Sequence, residues 1–212
     1  MAQAISEACA ALGARVFECD ALPDTGAPEA ADAGEEDAAE REIDRALAAA
    51  GTLELLVVDG AGLYASLARL PRSEGEGECE GEGEGAGQGQ GTANGRGRAA
   101  LLGCLEASWN LTRAVVNRAF LARERGGRIV YIAPAADAGE HADAARAGLE
   151  NLARTLSIEW ARHAITTVAI APGPATTAAE LGSLTAYIAS PAGAYFSGCQ
   201  LDLRGVGRVA NP

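Results

Sequence analysis

The stretch from Gly127 to Gly173, GRIVYIAPAADAGEHADAARAGLENLARTLSIEWARHAITTVAIAPG, constrains the fold more than any other part of the chain. Arg128 to Ile132 is a short β-rich run and predicts a strand; Ala133 to Glu140 is a loop. From His141 to His163 the apolar residues Leu149, Leu152, Ala153, Leu156 and Trp160 fall on one helical face. Thr166 to Ala171 is again strand-like, and Pro172-Gly173-Pro174 turns it. A strand, a long helix and a second apolar strand predict a crossover unit with parallel strands.

The flanking residues extend this pattern. At the N-terminus, Ile5, Cys9 and Leu12 recur at helical spacing and Gly13 stands where a glycine ends a helix; Arg15 to Cys19 then predicts a short strand. Residues 21–37 are Ala, Pro, Gly, Asp and Glu without apolar period, which predicts an acidic loop. A helix from about Glu36 to Ala50 turns Ile43 and Leu47 inward. Leu53 to Val58 is a continuous apolar run, the mark of a strand covered on both faces in a parallel sheet. Leu63 to Leu70 forms a short helix. Residues 72–98 alternate Glu or Gln with Gly and offer no face to bury, so a flexible solvated insertion is expected. Calcium binding there is the weaker reading, because the run lacks the ligand spacing of a defined loop. From about Arg98 to Glu124, Leu101, Leu105, Trp109, Leu111, Val115 and Phe120 make a helical stripe; helix Ala178 to Ile188 and strand Gln200 to Leu203 close the chain. The 212 residues fit one domain, 1–212, of α/β class, and with aromatics at 4% its core must be aliphatic.

Composition removes several classes of function. A net charge of −12 opposes nucleic acid and anionic membrane surfaces as partners. No apolar run reaches the roughly 20 residues that span a bilayer, and no basic leader precedes an apolar core, which makes the cytoplasm the expected compartment. Cys9, Cys19, Cys79, Cys104 and Cys199 lie far apart, and His141 and His163 have no partner at metal-site spacing, so no metal is expected. The chain contains no lysine, which excludes Schiff-base chemistry and a P-loop lysine.

LELLVVDGAG, GGRIVYIAP, AARAGLENLARTLSIEWARHAITTVAIAPG and LTAYIASPAGAYFSGCQLDLRG, in this order and spacing, resemble the short-chain dehydrogenase/reductase family. The resemblance implies a Rossmann-like, doubly wound parallel sheet, here reduced because AISEACAALGARV matches the helix that follows the family's Gly-rich turn. The first strand and that turn are therefore expected to be missing. It also implies an NAD(P)-dependent oxidoreductase with a Ser–Tyr–Lys set, in which a tyrosine moves the substrate proton and a lysine four residues on lowers its pKa.

Matched to that pattern, Ala142 takes the tyrosine position, Arg146 the lysine, Ala133 or Pro134 the serine, and Cys104 the helix asparagine, with Asn110 an alternative across a gap. No catalytic residue is intact. His141 is the neighbour of the lost tyrosine but points about 100° away round the helix; a surface or capping role is expected for it, and a packed role for Tyr131. Cofactor remnants are Asp20 at the adenosine ribose, Asp59-Gly60-Ala61-Gly62 at the NNAG turn, Arg146, and Pro172, Gly173 and Thr177 of PGxxxT. No NAD(H) binding, or weak binding, follows. Only a few residues separate Thr177 from Leu181, so the substrate lid is nearly deleted. In the family two long helices, carrying Trp109 and Leu152 here, pack against a second subunit. The reading that results is a catalytically inactive structural or regulatory subunit in a homo-oligomer, or in a heteromer with an active paralogue. The alternative is an NAD(P)-dependent oxidoreductase acting on a carbonyl or hydroxyl substrate, with atypical catalytic residues or a missing N-terminal segment. A decayed copy without function is the third reading.

Overall fold

The computed structural model describes residues 1–19, 31–70, 88–122, 124 and 126–205. Its elements are α1 (Ala2–Ala11), α2 (Ala31–Ala50), β1 (Leu55–Val58), α3 (Gly60–Leu67), α4 (Gln88–Val115), β2 (Gly127–Ile132), α5 (Ala142–Glu159), β3 (Ile165–Ala171), α6 (Ala178–Ala189) and β4 (Cys199–Asp202). The strands form one sheet in the order β1-β2-β3-β4, every pair parallel. Strands alternating with helices give the parallel α/β architecture that the periodicity predicts, in the reduced Rossmann-like form that the resemblance implies.

Two helical layers cover the sheet, and strand alternation decides which residue meets which layer. Ile129 and Tyr131 face one way, into a core with Ile43 of α2, Tyr64 of α3, Cys104, Leu111 and Val115 of α4 and Leu149 and Ala153 of α5. Val130, Ile132, Val168 and Ile170 face the other, against Ile5 and Cys9 of α1 and Leu181, Ala186 and Ile188 of α6. The second layer is closely set: a Cβ on Gly182 would lie 2.5 Å from the Ala4 carbonyl oxygen. Helix α1 ends as expected, with Leu12 as its C-cap and Gly13 following at φ +87°.

Five expectations need correction. Arg15–Cys19 is not a strand: it belongs to no ladder, and Val16 and Phe17 are 41% and 38% exposed. Among the described residues no strand lies on the outer side of β1, which stands at the edge of the described sheet. Leu12 is exposed because the C-cap turns it off the buried stripe. The expected acidic loop is helical from Ala31, since Ala and Glu are good helix formers whatever their apolar period. Similarly, α4 begins at Gln88, inside the segment expected to be a flexible insertion; the helix that Leu101 and Leu105 anchor extends back through it. The other end of that helix also differs, passing into a π-helical turn over Val116–Leu121 that buries Val116, Ala119 and Phe120. Asp20 and the greater part of both acidic segments lie outside the described residues.

Candidate functional site

The family positions converge at the C-terminal ends of β2 and β3, where open α/β sheets hold their ligands. Gly127 pairs with Ile165 and Ile132 with Ile170, and the same offset carries on to Pro134 and Pro172. Ala133 still donates to the Ile170 carbonyl at 2.9 Å, but a proline has no N–H to continue a ladder. Two prolines in register therefore end the pairing and leave two carbonyls.

Arg146 takes both of them. Its Nη1 donates to the Pro134 carbonyl at 2.7 Å and to the Pro172 carbonyl at 3.1 Å, with the residue only 4% exposed. A helical side chain leans toward the helix N-terminus, so a residue one turn inside α5 reaches the loop before it. Burial lowers the Arg146 pKa, and the positive charge of Arg204 lowers it further; Asp202, Asp143 and Asp137 oppose the shift. Nη2 is buried and makes no hydrogen bond among the described residues. Arg204 is committed to Asp202, donating from Nε at 2.9 Å and from Nη2 at 2.5 Å, and this pairing holds the Asp202 carboxyl down at about 2.

Around this clamp the other described family positions pack or cap helices. Ala142 is fully buried, one turn before Arg146 on the same face. Cys104 is buried, its thiol donating to the Gly60 carbonyl at 3.4 Å, and burial pushes it up to about 11. Gly60 admits no side chain, because a Cβ there would lie 2.7 Å from Leu149 Cδ1 and 2.8 Å from the Ile132 carbonyl oxygen. Asp59 caps α3 by accepting from Gly62 N at 2.9 Å, and Ala61 packs against the α1–α6 core. Gly173 N donates to Thr176 Oγ1 at 2.9 Å. Thr177 begins α6 directly, in a reciprocal capping box with Glu180, so its hydroxyl and amide both serve the helix start.

His141 sits at the N-cap of α5 with φ +65° and makes no side-chain cap bond, so it caps by backbone position alone. Asn110 is buried on α4. Tyr131 is fully buried and donates to Thr112 Oγ1 at 2.8 Å; Thr112 in turn donates to the Ser108 carbonyl, and burial raises the phenol pKa. Sequence reasoning missed Tyr64, which is fully buried and donates to the Glu140 carbonyl, pinning the loop ahead of α5. The available signal was a lone tyrosine on a short apolar helix, since a buried phenol must find an acceptor. Among the described residues no group of three His, Cys, Asp or Glu is placed to hold a metal ion, and no helix is long and apolar enough to cross a membrane.

No family model and no curated protein matches this sequence. Solved structures match its fold. A short-chain dehydrogenase from Mycobacterium paratuberculosis bound to NAD aligns with TM-score 0.58 and 17% identity over 79% of this chain and 68% of that one. A short-chain dehydrogenase/reductase from Serratia marcescens aligns with TM-score 0.59 and 18% identity, covering 94% and 88%. Acetoin dehydrogenase from Salmonella typhimurium aligns with TM-score 0.58 and 22% identity, covering 96% and 80%. The fold is that of short-chain dehydrogenase/reductases.

Proposed function

We propose that this chain, built on the short-chain dehydrogenase/reductase fold, is a non-catalytic member of that family acting as a structural or regulatory subunit. One observation carries the reading: Arg146, at the family's lysine position, is buried and spends its Nη1 on the Pro134 and Pro172 carbonyls. A lysine in the family's role keeps its ammonium for a ribose hydroxyl and a tyrosine. Here the tyrosine position is Ala142, which has no proton to give, and the guanidinium ties two strand ends together. Thr177 and Gly173 likewise spend their polar groups within the chain. Tight dinucleotide binding is not expected from such a set.

The subunit role draws on α4 and α5. Leu102 and Trp109 share one face of α4 and are 54% and 39% exposed, while Ile158 on α5 is 77% exposed. Apolar residues outward on the long helices support pairing with a second copy or with an active paralogue. NADH fluorescence titration tests the first half of the proposal, with no saturation expected up to about 1 mM. Because one structural neighbour was solved with NAD, saturation in the micromolar range would restore the oxidoreductase reading. Light scattering after size exclusion, alone and after co-expression with a neighbouring intact paralogue, tests the second half. A monomer in both preparations would overturn it.

A further inference from the structure

Between Glu180 and Asp202 the chain carries no charged residue, although 22% of the sequence is charged and its net charge is −12. This neutral stretch makes up most of α6, a 3-10 turn over Pro191–Tyr195 and the start of β4. One face of α6 is spent on the core, where Leu181, Ala186 and Ile188 pack with α1 and the sheet. The other turns Ser183 and Tyr187 outward, and Tyr187 is 46% exposed. The Tyr187 ring meets Phe196 edge-on, with centroids 6.1 Å apart, and so joins the helix to the turn. Tyr195, the residue before Phe196, is 95% exposed. The Arg128 guanidinium reaches this region from β2 but is spent on the Ala189 carbonyl. The turn that holds Tyr195 out is itself pinned. Gly193 lies so close to α6 that an added Cβ would collide with the Ile188 carbonyl. Its N–H donates to the Ser190 carbonyl at 3.0 Å, and its carbonyl accepts from Phe196 N at 3.1 Å. Beyond it, Gly198 N donates to the Thr167 carbonyl of β3 at 2.8 Å. An aromatic held outward on a fixed backbone has the form of an interface anchor, because little ordering remains to be done on binding.

We propose that this neutral tyrosine face joins a second copy of the chain about a twofold axis, at a contact separate from the α4–α5 face. Charge selects the occupant. Two copies of net charge −12 repel each other, and at physiological salt the repulsion reaches over about 8 Å. A stretch without charge lets them meet without setting like charge against like. A charged partner would find no opposite charge here to recognise. In a twofold contact the same patch lies on both sides, and a phenol, which both donates and accepts, is self-complementary. The proposal extends the subunit reading and is independent of whether the chain binds NADH.

Sedimentation velocity over a dilution series tests it, on the parent chain and on Tyr195→Glu, Tyr187→Glu and Trp109→Glu. The parent should self-associate. Tyr195→Glu sets like charges across the axis and should weaken that association at least about tenfold, with Tyr187→Glu acting in the same direction. Trp109→Glu, on α4, should leave this contact in place. Raising NaCl from about 0.05 M to about 0.5 M should strengthen the association, because salt screens the repulsion and there is no ion pair in the contact to weaken. Tyr195 is exposed enough that its replacement leaves the fold intact, and the salt series needs no variant at all. A parent that stays monomeric up to about 0.1 mM, association that ignores Tyr195→Glu, or association that weakens with salt would each overturn the proposal. Self-association lost in Trp109→Glu alone would remove this contact and leave the subunit reading standing. Self-association lost in Tyr195→Glu alone would establish this contact and count against the α4–α5 face.

Discussion

The middle of the sheet and its β1 edge are built from similar apolar residues but end in different states. At the centre, β2 and β3 pair along their full length, and where two prolines stop the ladder Arg146 takes up the remaining carbonyls. At the edge, Leu-Leu-Val-Val is covered above and below and, among the described residues, paired on one side only. Side-chain pattern reports whether the faces of a strand are covered; it carries no signal about whether its edge is. The centre has closed on itself, with the described site positions bonded or packed within the chain, while the outer side of β1 has no strand partner among the described residues.

The sharpest way to break the centre is to empty it. Leu149 is fully buried on α5, touching the α3 start at Gly60 and the β2 side of the core. Leu149→Ala should cost about 3 kcal/mol, through lost burial and a cavity that closes only partly; chemical denaturation measures it. Arg146→Met comes next. It keeps much of the volume but strands the Pro134 and Pro172 carbonyls in a buried place. Unpaired buried acceptors cost about 1–3 kcal/mol, partly offset by no longer burying a charge, so a net loss of about 2 kcal/mol is expected. A variant as stable as the parent would mean that the clamp does not hold the strand ends together, and the contrast between centre and edge would weaken.

The central unit was legible because its signals agree: the α5 stripe, the two apolar strands and the Pro-Gly turn all point to one arrangement. Leu149, Ala153 and Leu156 are buried as the spacing requires. The role of Arg146 was only half legible. Sequence could place it opposite the lost lysine, but its acceptors come from Pro134 and Pro172, twelve and twenty-six residues away. Only the register of β2 on β3 brings them together. Arg15–Cys19 misled for a related reason. Its residues suit a strand, yet a strand exists only when a neighbour offers backbone groups, and none of the described strands does so. The early starts of α2 and α4 escaped because Ala, Glu, Gln and Gly segments have no apolar face for periodicity to detect.

Two smaller effects would sharpen the comparison. Tyr131→Phe removes the phenol that donates to Thr112 beneath α4. A single buried hydrogen bond is worth about 1 kcal/mol, so the loss should be that small, with Thr112 still bonded to the Ser108 carbonyl. A loss much larger would mean that the hydroxyl chain locks α4 onto the sheet. The smallest effect lies in the acid range. Asp202 is held down at about 2 by the Arg204 side chain, then by its backbone amide, so the folded state favours the carboxylate. This contribution is complete above the ordinary aspartate pKa of about 4 and is lost as pH falls from there toward 2. Because the pair is largely solvated, screening keeps its contribution small. Asp202→Asn should therefore leave neutral-pH stability nearly unchanged and flatten only the acid limb of the unfolding profile. A marked loss at pH 7 would instead assign Asp202 to the charge balance of the buried Arg146, and would make the end of β4 part of the clamp that closes the centre of the sheet.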